Sequence, residues 1–157
     1  MIDDLVLARA AHVLAIVHWI GGVGFVSLVV LPIALARSSA AEGLAFFDSV
    51  ERRFAAQVRF SIPIAGVAGL WMTYRMNFWD RFADPHFWWM AAMFGLWAIF
   101  MLVVFVLEPL LNDRVEAFAR KNPEIALRRL FRLHIGLLTI AVVTVLGAVA
   151  GSHGYFF

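Results

Sequence analysis

The chain has no cysteine in 157 residues, which removes disulfides, thiolate-held metals and iron–sulfur clusters. Any metal or cofactor ligand must therefore come from histidine, methionine or a carboxylate. Charge is scarce as well, at 15% of residues against 63% hydrophobic. A mean hydropathy of +0.85 is too apolar for a single water-soluble core. Catalytic patterns are missing too: there is no Ser/His/Asp arrangement, phosphate-binding glycine loop or His-Glu-x-x-His site. An enzymatic role would then have to be oxidoreductase chemistry borrowed from a cofactor. The first apolar run opens on Asp3 and Asp4 instead of a basic region, and no small-residue cleavage site follows a short core. It is expected to stay as a helix and not to act as a removable signal peptide.

What is present is a set of four apolar runs, at 5–36, 60–74, 87–107 and 130–150. Each approaches the length that crosses about 30 Å of hydrocarbon at about 1.5 Å per residue. The pattern predicts an all-α polytopic membrane protein, a single four-helix transmembrane domain over 1–157, with spans near 5–36, 57–76, 86–108 and 129–152. The second run is the shortest and most polar-edged. Connections at 37–59, 75–86 and 108–129 are expected to hold the charges, with turns at Asp84-Pro85 and Asn122-Pro123.

Arginine and lysine orient the chain. Ten of the 13 basic residues fall in the first and third connections or at their edges: Arg37, Arg52, Arg53, Arg59, Arg114, Arg120, Lys121, Arg128, Arg129 and Arg132. Only Arg9, Arg75 and Arg81 lie on the other side. The asymmetry predicts cytoplasmic basic connections and both termini on the outer, periplasmic side of a bacterial inner membrane. The same asymmetry accounts for the pI near 9.7 without invoking nucleic acid, since the positive charge flanks apolar runs and is mixed with Glu51, Glu116 and Glu124.

With that orientation, most soft ligands gather on the outer side. His12 lies about two turns into the first helix, and His18 about 9 Å deeper, near mid-membrane. His86 opens the third helix and His153 closes the fourth. Met72 and Met76 end the second helix, and Met90 and Met93 begin the third, whereas His134 and Met101 fall toward the cytoplasmic half. Imidazole and thioether suit haem iron or copper better than magnesium or calcium.

A haem needs ligands from separate helices, and His12 with His86 or His153 satisfies that requirement. Weaker metal-ligand candidates are His18, His134, Met72, Met76, Met90 and Met93. The competing reading is that these histidines only bond neighbouring helices, or sit at the interface. Intramembrane ionisable groups nevertheless default to function. His18 is about 120° round the helix from His12, while Trp19 shares the His12 face.

Trp71, Tyr74, Trp79, Trp88 and Trp89 crowd the outer side, where indoles anchor at headgroup level, although Trp88 or Trp89 could also wall a cofactor. Glu51, Arg53, Arg59, Arg132 and His134 could converge on the cytoplasmic side. Arg59 and Arg132 there are candidates for a propionate or other anion, or simply snorkel to water. Glu108 before Pro109 reads as a helix terminus. Gly21, Gly22 and Gly24, Gly66 with Gly69, and Gly147 with Gly151 permit close helix approach in a tight bundle or a homo-oligomer. Gly22 lies on the His12/Trp19 face, where a missing side chain could leave room for a flat ring.

His12 to Gly22, with Trp19 seven residues after the His, resembles the first-helix signature of CopD-type copper-resistance membrane proteins and of the related HemJ-type protoporphyrinogen oxidases. Glu51-Arg52-Arg53-Phe54, followed by Pro63 and Gly66, resembles the second segment of the HemJ type. The likeness covers the four-helix layout, and its specific residues lie in the first half of the chain. It implies that His12 matches the family histidine linked with haem in one branch and with metal handling in the other. The chain differs where the HemJ type carries a third-helix Lys, here the apolar run 88–92, and an Asn-Glu pair before the last helix, here Arg132-Leu133-His134.

Three readings follow from the residues, beside the protoporphyrinogen oxidase activity that the HemJ resemblance implies as a further alternative. The first is a haem b-binding protein of cytochrome b-like character, passing electrons between a quinone or redox membrane partner and an acceptor near the outer face. The cofactor would be held by His12 with His86 or His153, beside Trp19 and Gly22. The second is CopD-like copper binding or uptake through the outer His and Met residues, although no Met-x-Met or His-rich run is present. The third is a cofactor-free assembly subunit in which the histidines cross-link helices. Membrane lipid is the surrounding partner in every case.

Overall fold

The computed structural model of the chain describes residues 3–155. Among these residues the fold is all helix, built on four long elements: α1 (Asp4–Leu35), α2 (Ala40–Arg75), α3 (Pro85–Lys121) and α4 (Pro123–Ser152). All four are long and apolar enough to cross a membrane. Large apolar side chains stand exposed along them, among them Leu14 at 69%, Phe60 at 73% and Leu110 at 72%. A surface of that kind belongs in lipid and not in water.

Local sequence chemistry sets the ends. Asp3 caps α1 by accepting from Leu5 N at 3.0 Å, and Ser39 caps α2 by accepting from Glu42 N at 3.2 Å. The α2 terminus closes with Phe78 N donating to Thr73 O at 3.0 Å across Asn77, which takes a positive φ of 52°, a left-handed stop that asparagine tolerates. Two 3₁₀ turns, Trp79–Phe82 and Pro85–Phe87, lead into α3. Asn122 alone separates α3 from α4, with Pro123 at the first helical position.

The helices run further than hydropathy predicts. Segments 37–59 and 108–129, expected as connections, are almost wholly helical. At 30 to 37 residues, each element is about 45–55 Å long, well beyond the thickness of hydrocarbon. The extra turns are polar helix, supported by i,i+4 pairs such as Arg120–Glu116 at 3.2 Å and Arg128–Glu124 at 3.1 Å. The second run, least secure in the sequence, belongs to a 36-residue helix.

Prolines bend the ladder without ending it. α1 widens to a π turn over Val26–Val30 before Pro32, and α3 does the same over Val103–Leu107 before Pro109. A proline ring strikes the carbonyl four residues back. Those carbonyls belong to Leu28 and Phe105, both inside the widened turns, where the wider spiral relieves the clash. Glu108 is therefore within a continuous α3 and is not a terminus.

Two cores stack along the bundle. Near the basic end, Val26, Val30, Leu31, Ala34, Leu44, Phe47, Ala126 and Leu127 close together. Toward the other end, Ala15, Trp19, Val23, Val58, Ile62 and Ala65 pack with Trp97, Phe100 and Met101 at their edge. Four glycines receive rings instead of neighbouring backbone. A Cβ on Gly22 would lie 2.0 Å from the Phe54 ring, on Gly66 2.3 Å from Trp97, on Gly147 2.5 Å from Trp88 and on Gly151 2.1 Å from Trp89. Buried hydroxyls are satisfied within their own helices: Ser27 donates to Val23 O at 2.6 Å and Thr144 to Ile140 O at 2.8 Å.

Candidate functional site

His12 occupies the third turn of α1, half-buried against α2. Its Nδ1 lies 2.7 Å from the Ala65 carbonyl oxygen. A carbonyl only accepts, so Nδ1 carries the hydrogen and donates, leaving the Nε2 lone pair for a ligand. Gly69 makes this seat: a Cβ there would stand 3.1 Å from His12 Cε1 and 3.3 Å from Nδ1. The carbonyl fixes the ring's tautomer and orientation, as an outer partner does for a metal-binding imidazole.

Two turns along the same face, Trp19 is 3% exposed and meets Phe100 edge-on with ring centroids 4.8 Å apart. Its Nε1 is buried without a hydrogen-bond partner, the only side-chain nitrogen or oxygen in that condition among the described residues. Such a group carries an unspent donor at a cost of about 1–3 kcal/mol. Trp97 beside it is satisfied, donating to Ile62 O at 3.0 Å with its ring in the Gly66 notch. The room expected beside Gly22 for a flat ring is taken by Phe54. That filling ring comes from the facing helix, which the α1 sequence alone cannot reveal.

His18 faces elsewhere and is exposed. Its Nε2 lies 3.2 Å from Gln57 Oε1 and its Nδ1 3.0 Å from Ser61 Oγ. Gln57 Nε2 donates to Arg53 O at 3.2 Å, so the amide oxygen is the atom turned to His18. His18 Nε2–H then donates to it, and Nδ1 accepts from the Ser61 hydroxyl. Both nitrogens are engaged, unlike those of His12.

The α1 start and α2 end are tied by Asp4, which accepts from Trp71 Nε1 at 3.1 Å and pairs with Arg75. Two residue types the sequence treated separately, an acid opening one span and a base closing the next, make this clasp. Trp71, Tyr74 and Trp79 are exposed at 45%, 64% and 48%, in keeping with an aromatic belt. Trp88 and Trp89 are not belt residues: they fill the notches of Gly147 and Gly151, and Trp89 is 7% exposed.

His153 donates from Nδ1 to Val149 O of its own helix at 2.8 Å, leaving Nε2 in the same state as that of His12. His86 Nδ1 lies 2.9 Å from Asp84 Oδ1. The Asp84 carboxyl is held below its usual range by the backbone N–H and then the ring of His86. Met72 and Met76 close α2 while Met90 and Met93 begin α3, with Met76 37% exposed. Among the described residues no three His or acidic side chains are grouped so that they could hold a metal ion between them.

Of the residues expected to converge at the basic end, Glu51 and Arg59 do come within electrostatic reach of each other, beside Glu108, and the rest go separate ways. Arg59 pairs with Glu108 across α2 and α3 at 2.8 Å. His134 donates to Leu130 O at 2.9 Å and packs edge-on against Phe47. Arg53 and Arg132 are exposed.

Fold and site thus define a class: an all-helical polytopic chain with a carbonyl-oriented histidine and an unpartnered indole N–H packed between its helices. No family model, curated protein or solved structure matches this chain.

Proposed function

We propose that the chain is an integral protein of a bacterial inner membrane that binds haem b through His12 and serves electron transfer. The observation that carries this reading is the His12 Nδ1 contact with the Ala65 carbonyl at 2.7 Å. It leaves Nε2 as the ligating atom and makes the imidazole a stronger donor. Beside it, Gly69 gives the His12 ring its seat and Trp19 Nε1–H, seven residues along the same face, keeps a donor for an oxygen atom, while Phe54 fills the Gly22 notch and would have to move for a macrocycle to enter there. His12 would hold the group in this reading, with His153 or His86, both at outer helix ends, as the candidates for a second ligand. A bound haem would supply one-electron chemistry there.

The basic connections face the cytoplasm and both termini lie outside, on the strength of the Arg and Lys distribution. The Asp4–Arg75 and Arg59–Glu108 pairs mark the two edges of the apolar slab. Along α2 the two arginines are about 24 Å apart. His12 is then near mid-slab and His18 near its basic edge, each deeper than run length suggests.

The test is the Soret band of protein purified from haem-replete cells, compared among His12→Ala, His86→Ala and His153→Ala. The expected pattern is loss with His12→Ala and with one of the other two. An unchanged band in His12→Ala removes the assignment.

A further inference from the structure

α2 presents Gln57 and Ser61 one turn apart, and α1 sets His18 against both, with contacts of 3.2 and 3.0 Å. Elsewhere in the bundle, Ser27 and Thr144 are buried and bonded within their own helices, and Arg59 is joined across helices through charge to Glu108. His18 and Gln57 are instead an uncharged pair exposed at the basic edge of the apolar slab, the depth at which the polar head of an amphipathic molecule lies. They form the polar floor of a trough of about 570 Å³ along the α1/α2 seam, walled by Ala11, Leu14, Ala15, Phe60 and Ile64. Through Gln57 it continues into a second trough of about 470 Å³, lined by Phe25, Val26 and Phe54 with Arg53.

We propose that the His18–Gln57–Ser61 trough binds the headgroup of a membrane-soluble quinone, with its hydrocarbon tail along the apolar seam. The chemistry matches both forms of such a molecule. A quinone carbonyl accepts, and the His18 Nε2–H now given to Gln57 at 3.2 Å can pass to it, because the Gln57 amide is exposed and readily turns. A quinol hydroxyl donates, and the Gln57 Oε1 or Ser61 Oγ lone pairs accept it. Phe60 supplies a flat apolar contact. A phospholipid phosphate, which calls for Arg or Lys, would be drawn to Arg53 in the adjoining trough, whereas the polar groups of this one are His18, Gln57 and Ser61. The proposal deepens the redox reading and rests on it for its biological sense, while the binding step itself requires no haem.

The experiment is calorimetric titration of the full chain in nanodiscs with a decyl-substituted benzoquinone, using decylbenzene as the oxygen-free control. Saturable binding is expected for the quinone and none for decylbenzene. His18→Leu weakens it about tenfold, the scale of one lost hydrogen bond, and Ser61→Ala by a smaller factor. If His18→Leu does not fold, Gln57→Leu and Ser61→Ala decide the matter. No saturable binding by the wild-type chain, or equal affinity in the folded variants, overturns the proposal. Haem content of the same samples separates the two readings: haem without quinone binding defeats only the trough, and quinone binding without haem defeats only the His12 assignment.

Discussion

The two ends of the bundle solve close packing differently. Near the basic end the core is mainly aliphatic, and its glycine, Gly43, faces backbone: a Cβ there would lie 2.3 Å from the Ala34 carbonyl oxygen. Toward the Asp4 end, glycines accept aromatic rings from facing helices, and His12 sits on Gly69 in the same manner. Aliphatic packing against backbone tolerates little displacement and joins α1 to α2 firmly. Ring-in-notch packing carries polar atoms into the interior, some satisfied, as with Trp97, and one, Trp19 Nε1, with its donor unspent. Among the described residues the buried indoles Trp19 and Trp89 lie in the second region, while the first has one half-buried imidazole, His134, packed on Phe47.

The contrast can be broken by substitution, with unfolding in detergent as the readout. Leu127→Ala, at a site 1% exposed in the basic-end core, is expected to cost about 2–5 kcal/mol through loss of contact and a cavity. Gly43→Ala is expected near the upper end of about 1–3 kcal/mol for overpacking, because a carbonyl in a helix pair cannot swing away. Gly66→Ala meets a movable ring, so its cost should fall near the lower end of that range and should be partly relieved by Trp97→Phe. Equal costs for Gly43→Ala and Gly66→Ala would erase the distinction between the two ends.

The Arg59–Glu108 pair is exposed at 47% and 36%. Arg59→Gln is accordingly expected to change stability by no more than about 1 kcal/mol. The smallest effect concerns the connection before α3. Asp84 has a lowered pKa, so its contribution is present above its ordinary titration range and is lost as pH falls through the lowered value. Hydrogen exchange at the His86 amide, which Asp84 caps at 2.9 Å, should quicken relative to its neighbours at that acidity in the wild type and already at neutral pH in Asp84→Ala.

Much of this architecture was legible in the sequence. Apolar length announced four long helices, and Asp84-Pro85 and Asn122-Pro123 marked two of the breaks. The extent of the helices was hidden because hydropathy sees where lipid ends, not where backbone hydrogen bonding ends, so 40–59 and 108–121 read as connections. For the site, His12 and Trp19 could be placed on one face from their spacing of seven. Their partners could not: the Ala65 carbonyl has no side-chain signature, and the Phe54 ring on Gly22 depends on the register between two helices. His18 was judged only against His12, so its own seat with Gln57 and Ser61 went unseen, although polar residues four apart in an apolar run are a usable signal.

The central claim, that His12 Nε2 is held ready for haem iron, is most directly tested by reduced-minus-oxidised visible spectra with haem quantitation on the wild-type chain and His12→Ala. The expected result is roughly one haem b per chain in the wild type and its loss in a His12→Ala protein that still unfolds cooperatively. A wild-type chain from haem-replete cells without a haem spectrum, or a His12→Ala chain with full haem content, would contradict the account.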